Sequence, residues 1–96
     1  MKVVSVNGEV LVSAADRNIL NKNLREGKLH LKVDEEFYGN VTVNDETFLS
    51  ALNMCTIANL VGNHVVDMAI EHEFVDPENI ITICGVKHAQ YAKLLE

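Results

Sequence analysis

The 96 residues are enough for one domain with a modest core, and the pattern predicts a single domain over 1–96. A hydrophobic content of 48% beside 23% charged residues, one proline and five glycines exclude a long disordered segment, and no apolar run reaches the roughly 18 residues of a membrane span. Net charge is −6 but polarised: residues 1–33 hold six basic against three acidic side chains, net +3, whereas 34–96 hold two against eleven, net −9, so one face can attract a polyanion while another repels it.

Val3–Val6 and Glu9–Ser13 are β-branched runs on either side of Asn7-Gly8, the dipeptide that best tolerates the positive φ angles of a tight hairpin turn. This start does not follow the pattern of a secretory leader. Asp16 is placed to cap a short helix through Ile19 and Leu20, and Gly27 lets the chain turn before Lys28–Val33. That run alternates strictly, Leu29, Leu31 and Val33 against Lys28, His30 and Lys32, as a half-exposed strand does. His30 is therefore expected in solvent. Asp34–Asn40 reads as a turn whose Phe37 and Tyr38 pack back on the sheet, followed by a short extended piece at Val41 and Val43.

Asn44 is an N-cap, with Asp45 and Glu46 suited to the positive end of a helix dipole. Phe48, Leu49, Leu52, Cys55 and Leu60 recur at helical spacing, and Ala51, Met54, Ile57 and Ala58 make the other faces apolar, which predicts one enclosed helix up to Gly62. Val65, Val66, Ala69, Ile70 and Phe74 mark a second helix ending near Glu73. Asp76–Asn79 is a turn, and the apolar Ile80–Cys84 predicts a central strand bent at Gly85. Residues 88–95 fit either a helix or an edge strand. Cys55 and Cys84, each in an apolar segment, read as reduced core thiols and point to a cytoplasmic protein.

Four segments, Glu36-Phe37-Tyr38-Gly39, Thr56-Ile57-Ala58-Asn59-Leu60-Val61-Gly62, Val75-Asp76-Pro77-Glu78-Asn79 and Gly85-Val86-Lys87-His88-Ala89-Gln90, in that order and spacing, resemble the archaeal family known as domain of unknown function 424. The resemblance covers nearly the whole chain. It implies a small archaeal cytosolic protein with a mixed α and β fold, and it attaches no particular activity to the chain. Two positions depart from the family pattern: Lys87 stands where proline is usual, and Ala15 where a cysteine often precedes the aspartate matched by Asp16. A function that needed that cysteine would be closed to this chain.

Asn59, His88 and Gln90 are candidate site residues because an amide or imidazole in apolar surroundings must find partners or cost roughly 1–3 kcal/mol, and Tyr38, Gly39 and Gly85, which stand in the segments that carry the resemblance, complete the candidate site. A catalytic reading makes His88 the general acid or base, with Tyr38 or Gln90 nearby and the backbone amides around Gly85 as an anion-binding nest. The competing reading makes His88 a satisfied structural histidine and Asn59 a lock on the Gly62 turn or the Gly85 loop. Arg17, Lys22, Arg25 and Lys28 form a candidate polyanion-binding set, although no aromatic side chain stands among them to stack on bases. The competing reading is a solvated turn and strand. His64, Asp67 and Glu71 share a helix face but His72 turns away, so no metal is expected, and five isolated glycines give no nucleotide fingerprint, so no cofactor is expected either.

The sequence thus points to an α+β fold in which a small mixed sheet, built from the amino-terminal hairpin, residues 28–33 and residues 80–84, is covered by two helices. The favoured function is a non-catalytic binding module for RNA or a ribonucleoprotein of the translation machinery. The alternatives are a small enzyme centred on His88 and an assembly protein acting as a homodimer.

Overall fold

A computed structural model of the chain describes residues 1–93. Strands β1 (Lys2–Val6) and β2 (Glu9–Ala15) form the expected hairpin, with Asn7 and Gly8 at φ of 50° and 81°. A helical turn at Arg17–Ile19 leads to β3 (Asn23–Glu26) and β4 (Leu29–Lys32), then to α1 (Glu35–Tyr38), one turn long, and α2 (Asp45–Met54). Next come β5 (Ile57–Val61), α3 (Asn63–Glu71), a second helical turn at Pro77–Asn79, β6 (Ile81–Ile83) and β7 (Val86–Ala92). The main sheet is mixed, in the order β1-β2-β5-β7-β6, with β2 and β5 parallel and the other neighbours antiparallel. Strands β3 and β4 form a separate two-stranded ribbon.

Strand alternation gives the main sheet two different faces. Val12 and Ala14 of β2, Ala58 and Leu60 of β5 and Ala89 of β7 pack with Phe48, Ala51 and Leu52 of α2 and Val65, Val66 and Ala69 of α3. Against the other face lie Leu24 and Leu31 of the ribbon, Ile19, Val33 and Tyr38, which meet Ala15, Val61, Ile83 and Val86. The domain is of the α+β class, with helices α2 and α3 on one side only.

The structure corrects several expectations. The long helix stops at Met54: the Cys55 N–H closes the last turn on the Ala51 carbonyl, and Thr56 then docks on β2, its N–H donating to Val10 O at 2.8 Å and its Oγ1 accepting from Val10 N at 2.9 Å. Leu60 is therefore a strand residue, and β5, flanked by β2 and β7, is the central strand in place of residues 80–84. Helix α2 is not enclosed all round, since Met54 is 69% exposed. Strand β6 is a three-residue edge strand. The apolar run around it packs toward both sides, Ile83 of the strand under the ribbon and Ile80, just before it, against the helix-side core.

Within residues 28–33 Leu29–Lys32 form a strand, and His30 is exposed as expected, but the strand belongs to the ribbon. Its partner β3 lies in the stretch before Gly27, for which the sequence predicted no strand. Residues 34–40 contain the single turn α1, capped by Asp34 Oδ1 accepting from Glu36 N; Tyr38 is buried, whereas Phe37 faces outward against its ring edge. Val41 and Val43 lie outside any strand. Cys55 is buried, but Cys84 sits exposed in the β6–β7 turn at φ 53°, followed by Gly85 at 76°, so only the first is a core thiol. Residues 88–92 are strand, and 94 and 95 lie outside the described residues. Asp16 caps no helix of its own. Its carboxylate reaches across to accept from His64 N at 2.9 Å and Val65 N at 3.1 Å, closing the amino end of α3.

Candidate functional site

On the ribbon side of the sheet the register places Lys2, Ser13, Asn59 and Gln90 in one row across four strands. The adjoining row is Ala15, Val61, His88 and Ile81. Helix α1 lies over the Lys2 and Ser13 end, where Lys2 Nζ donates to the Glu36 carbonyl at 2.7 Å. It brings Tyr38 down onto Asn59.

The amide oxygen of Asn59 is the centre of the site. Oδ1 accepts the Tyr38 hydroxyl at 3.0 Å and lies 3.1 Å from His88 Nε2. Since Oδ1 only accepts, this contact holds His88 in the tautomer with the proton on Nε2. Burial lowers the His88 pKa from its ordinary 6.5, so the ring is neutral at pH 7, and burial raises the Tyr38 pKa, so its hydroxyl keeps its proton. The three side chains thus form a neutral, oriented network.

Beyond the network the face opens. Asn79, Ile81, His88 and Gln90 line a shallow cleft of about 190 Å³. Gln90 shares the face of His88 because the two are two residues apart on one strand. Asn79 and Ile81 escaped the sequence reading, where they belonged to a turn and a core strand. The two candidate glycines serve other purposes. Gly39 ends α1 at φ 84°, and a Cβ there would come within 2.5 Å of the Met1 carbonyl oxygen. Gly85 lies in the β6–β7 turn, its carbonyl accepting from Asn63 Nδ2 at 3.2 Å, away from the network. Asn59 does not lock the Gly62 turn. That turn is held by Asp16, whose Cγ would stand 2.3 Å from a Cβ at Gly62, a residue at φ 125°.

The candidate polyanion set falls elsewhere, on and around the ribbon. Arg25 stands opposite His30 and Asn23 opposite Lys32, so these four share the face turned from the buried Leu24. Lys28 follows Gly27 in the ribbon turn, while Lys22 and Arg17 precede β3. Glu26, the single acid among residues 17–33, has the opposite parity, and its Oε1 accepts from Cys84 N at 3.1 Å. Among the described residues none of these basic side chains is in an ion pair. On α3, His64 meets Asp45 at 2.8 Å and Asp67 pairs with Lys87, and no three ligating side chains among the described residues are grouped to hold a metal.

The model of a family described as "Protein of unknown function (DUF424)" matches residues 4–94. In structure, the chain is similar to an uncharacterized conserved protein from Methanopyrus kandleri, with a TM-score of 0.76 at 16% identity over 99% of this chain and 95% of that one, which shows a shared fold. No curated protein matches the sequence.

Proposed function

This chain belongs to the DUF424 family, and we propose that it is a binding module whose β3–β4 ribbon docks on RNA or on the exposed RNA of a ribonucleoprotein. The observation that carries the reading is the one-sided charge of the ribbon. Its outer face presents Arg25, His30 and Lys32 with no acid among them, Lys28 extends it at the turn, and Glu26 is held toward Cys84. A twisted two-stranded ribbon with unpaired cations tracks a phosphate backbone, and neutralised phosphates release counterions. The acidic remainder of the chain orients it by repelling the same polyanion.

The site around Asn59 favours binding over catalysis. The Nε2 proton of His88 is engaged, and its neighbours in the cleft are carboxamides and an alkyl chain, which exchange no protons near neutral pH. The reading is tested by fluorescence anisotropy with single-stranded RNA. With about four phosphates contacted, affinity should drop ~50-fold on raising salt fourfold, and Arg25→Glu with Lys32→Glu should abolish binding while leaving the circular dichroism unchanged. Binding that ignores both salt and charge reversal refutes it.

A second copy of the chain is the other partner with an observation behind it. Edge strand β1 leaves Val3 47% and Val6 50% exposed beside an unpaired row of backbone groups, a template for antiparallel pairing of β1 with its copy. Sedimentation equilibrium at high concentration should give the dimer mass, and a strictly monomeric mass removes that reading.

A further inference from the structure

The cleft beside His88 is uncharged and lies next to a cationic ribbon. Its volume of about 190 Å³ is below the roughly 300 Å³ at which drug-sized ligands begin, so it suits one planar ring. No lining side chain carries a charge to hold a phosphate or carboxylate. Asn79 and Gln90 each offer a donor and an acceptor on one plane, the pairing that reads the edge of a nucleobase bidentately. Ile81 and the His88 ring add an apolar wall, and the Asn59 contact prevents that ring from turning.

The ribbon is tied within reach of this cleft. Cys84 donates from its N–H to Glu26 Oε1 and from its thiol to the Arg25 carbonyl at 2.8 Å, which anchors the turn end of the ribbon, with Lys28, at the end of β6. Ile81 lies three residues back along β6, roughly 10 Å at strand rise. A chain with its phosphates on the ribbon can therefore place a neighbouring base in the cleft.

We propose that the cleft receives one unpaired nucleobase of a single-stranded RNA whose phosphates lie on the ribbon, with Asn79 and Gln90 reading its edge and Ile81 and His88 forming its wall. The inference rests on the ribbon reading and adds a preference for single strands, because a duplex keeps its bases paired and stacked. Short oligouridylate, oligocytidylate and oligoadenylate are compared with an abasic oligomer of the same length and with a duplex, at low salt. At least one base-bearing oligomer should bind roughly 10-fold tighter than the abasic one. Gln90→Ala, at an exposed position, should erase that advantage, whereas Arg25→Glu should weaken both oligomers alike. The side-chain amide resonances of Asn79 and Gln90 should shift with the base-bearing oligomer alone.

Equal binding of abasic and base-bearing oligomers, still sensitive to Arg25→Glu, overturns the cleft assignment and leaves the ribbon standing. Preference for the duplex overturns it as well. No binding of any oligomer removes the ribbon reading and the cleft with it.

Discussion

On the side covered by α2 and α3 the strands contribute Val12, Ala14, Ala58, Leu60 and Ala89, none more than 2% exposed, whereas the opposite side carries Lys2, Ser13, Asn59 and Gln90 in a single row. The first surface is closed and apolar, so it stabilises the domain through removal of surface from water. The second is roofed only in part, by the ribbon and α1, and its buried polar atoms hold one another in place. Their net contribution to stability is small because each hydrogen bond replaces one to water. What they supply is orientation, and an oriented imidazole beside open carboxamides is where recognition chemistry can reside. Cohesion thus lies on the helix side, and the ribbon side carries the proposed recognition surface.

The largest effect that could break this division is expected from Leu60→Ala, in the closed interior. Removal of that side chain should cost about 3 kcal/mol in urea unfolding, and a loss under about 1 kcal/mol would show that the helix side does not hold the domain together. Next in size, Asn59→Leu keeps the volume but leaves the Tyr38 hydroxyl and His88 Nε2–H without their common acceptor, for about 2 kcal/mol. Tyr38→Phe should cost about 1 kcal/mol alone and much less in the Asn59→Leu background. Full additivity of the two would mean that the network is not a unit.

Asp16→Ala sharpens the comparison at the end of the sheet where both sides meet. It removes the acceptor of two amino-terminal N–H groups of α3 and should cost about 1 kcal/mol, largely restored by Asn at that position. If Asn fails to restore it, the charge of the carboxylate rather than the hydrogen bonds is what α3 requires.

The smallest effects are in pH dependence and have opposite signs on the two sides. The His88 pKa is lowered by burial, so below about pH 6.5 the unfolded chain takes up a proton that the folded chain refuses, and stability should fall with acidification from that point. The His64 pKa is raised, chiefly by its hydrogen bond to Asp45, so its contribution is complete below pH 6.5 and is lost as pH rises through the raised value. His64 is 61% exposed and its share is correspondingly slight. Urea midpoints followed across this range in His88→Gln and His64→Gln should each lose one of the two slopes, and an unchanged acid slope in His88→Gln would place the buried titration elsewhere.

Much of this arrangement was legible in local chemistry. Asn7-Gly8 took the paired positive φ angles that the flanking valines called for, Asn44 caps α2 by accepting from Thr47 N at 2.8 Å, and the alternation of residues 28–33 marked a strand with His30 outside. Asn59 and His88 were singled out because polar groups in apolar company need partners, and Tyr38 as a neighbour of His88; in the structure Asn59 is the partner of both. Gln90 stands at the same site, but its membership depends on reading residues 88–92 as a strand, where a spacing of two shares a face. Gly39 and Gly85 stand outside the network, one ending α1 and the other in the β6–β7 turn, since a glycine in a motif marks close backbone approach or positive φ as readily as a ligand site. The cleft residues Asn79 and Ile81 gave no signal, since a turn asparagine and an apolar strand residue are ordinary where they occur.

The sequence by itself determined what depends on near neighbours: the hairpin turn, the cap of α2, the alternation of the ribbon strand and the uneven charge. Only the tertiary structure decided that Ile57–Val61 is a strand. An apolar run of that length satisfies helical and extended backbones about equally until hydrogen-bonding neighbours are supplied, and here β2 and β7 supply them on both edges. The same long-range pairing brought Tyr38, Asn59 and His88 together across separations of 21 and 29 residues, which no local preference encodes.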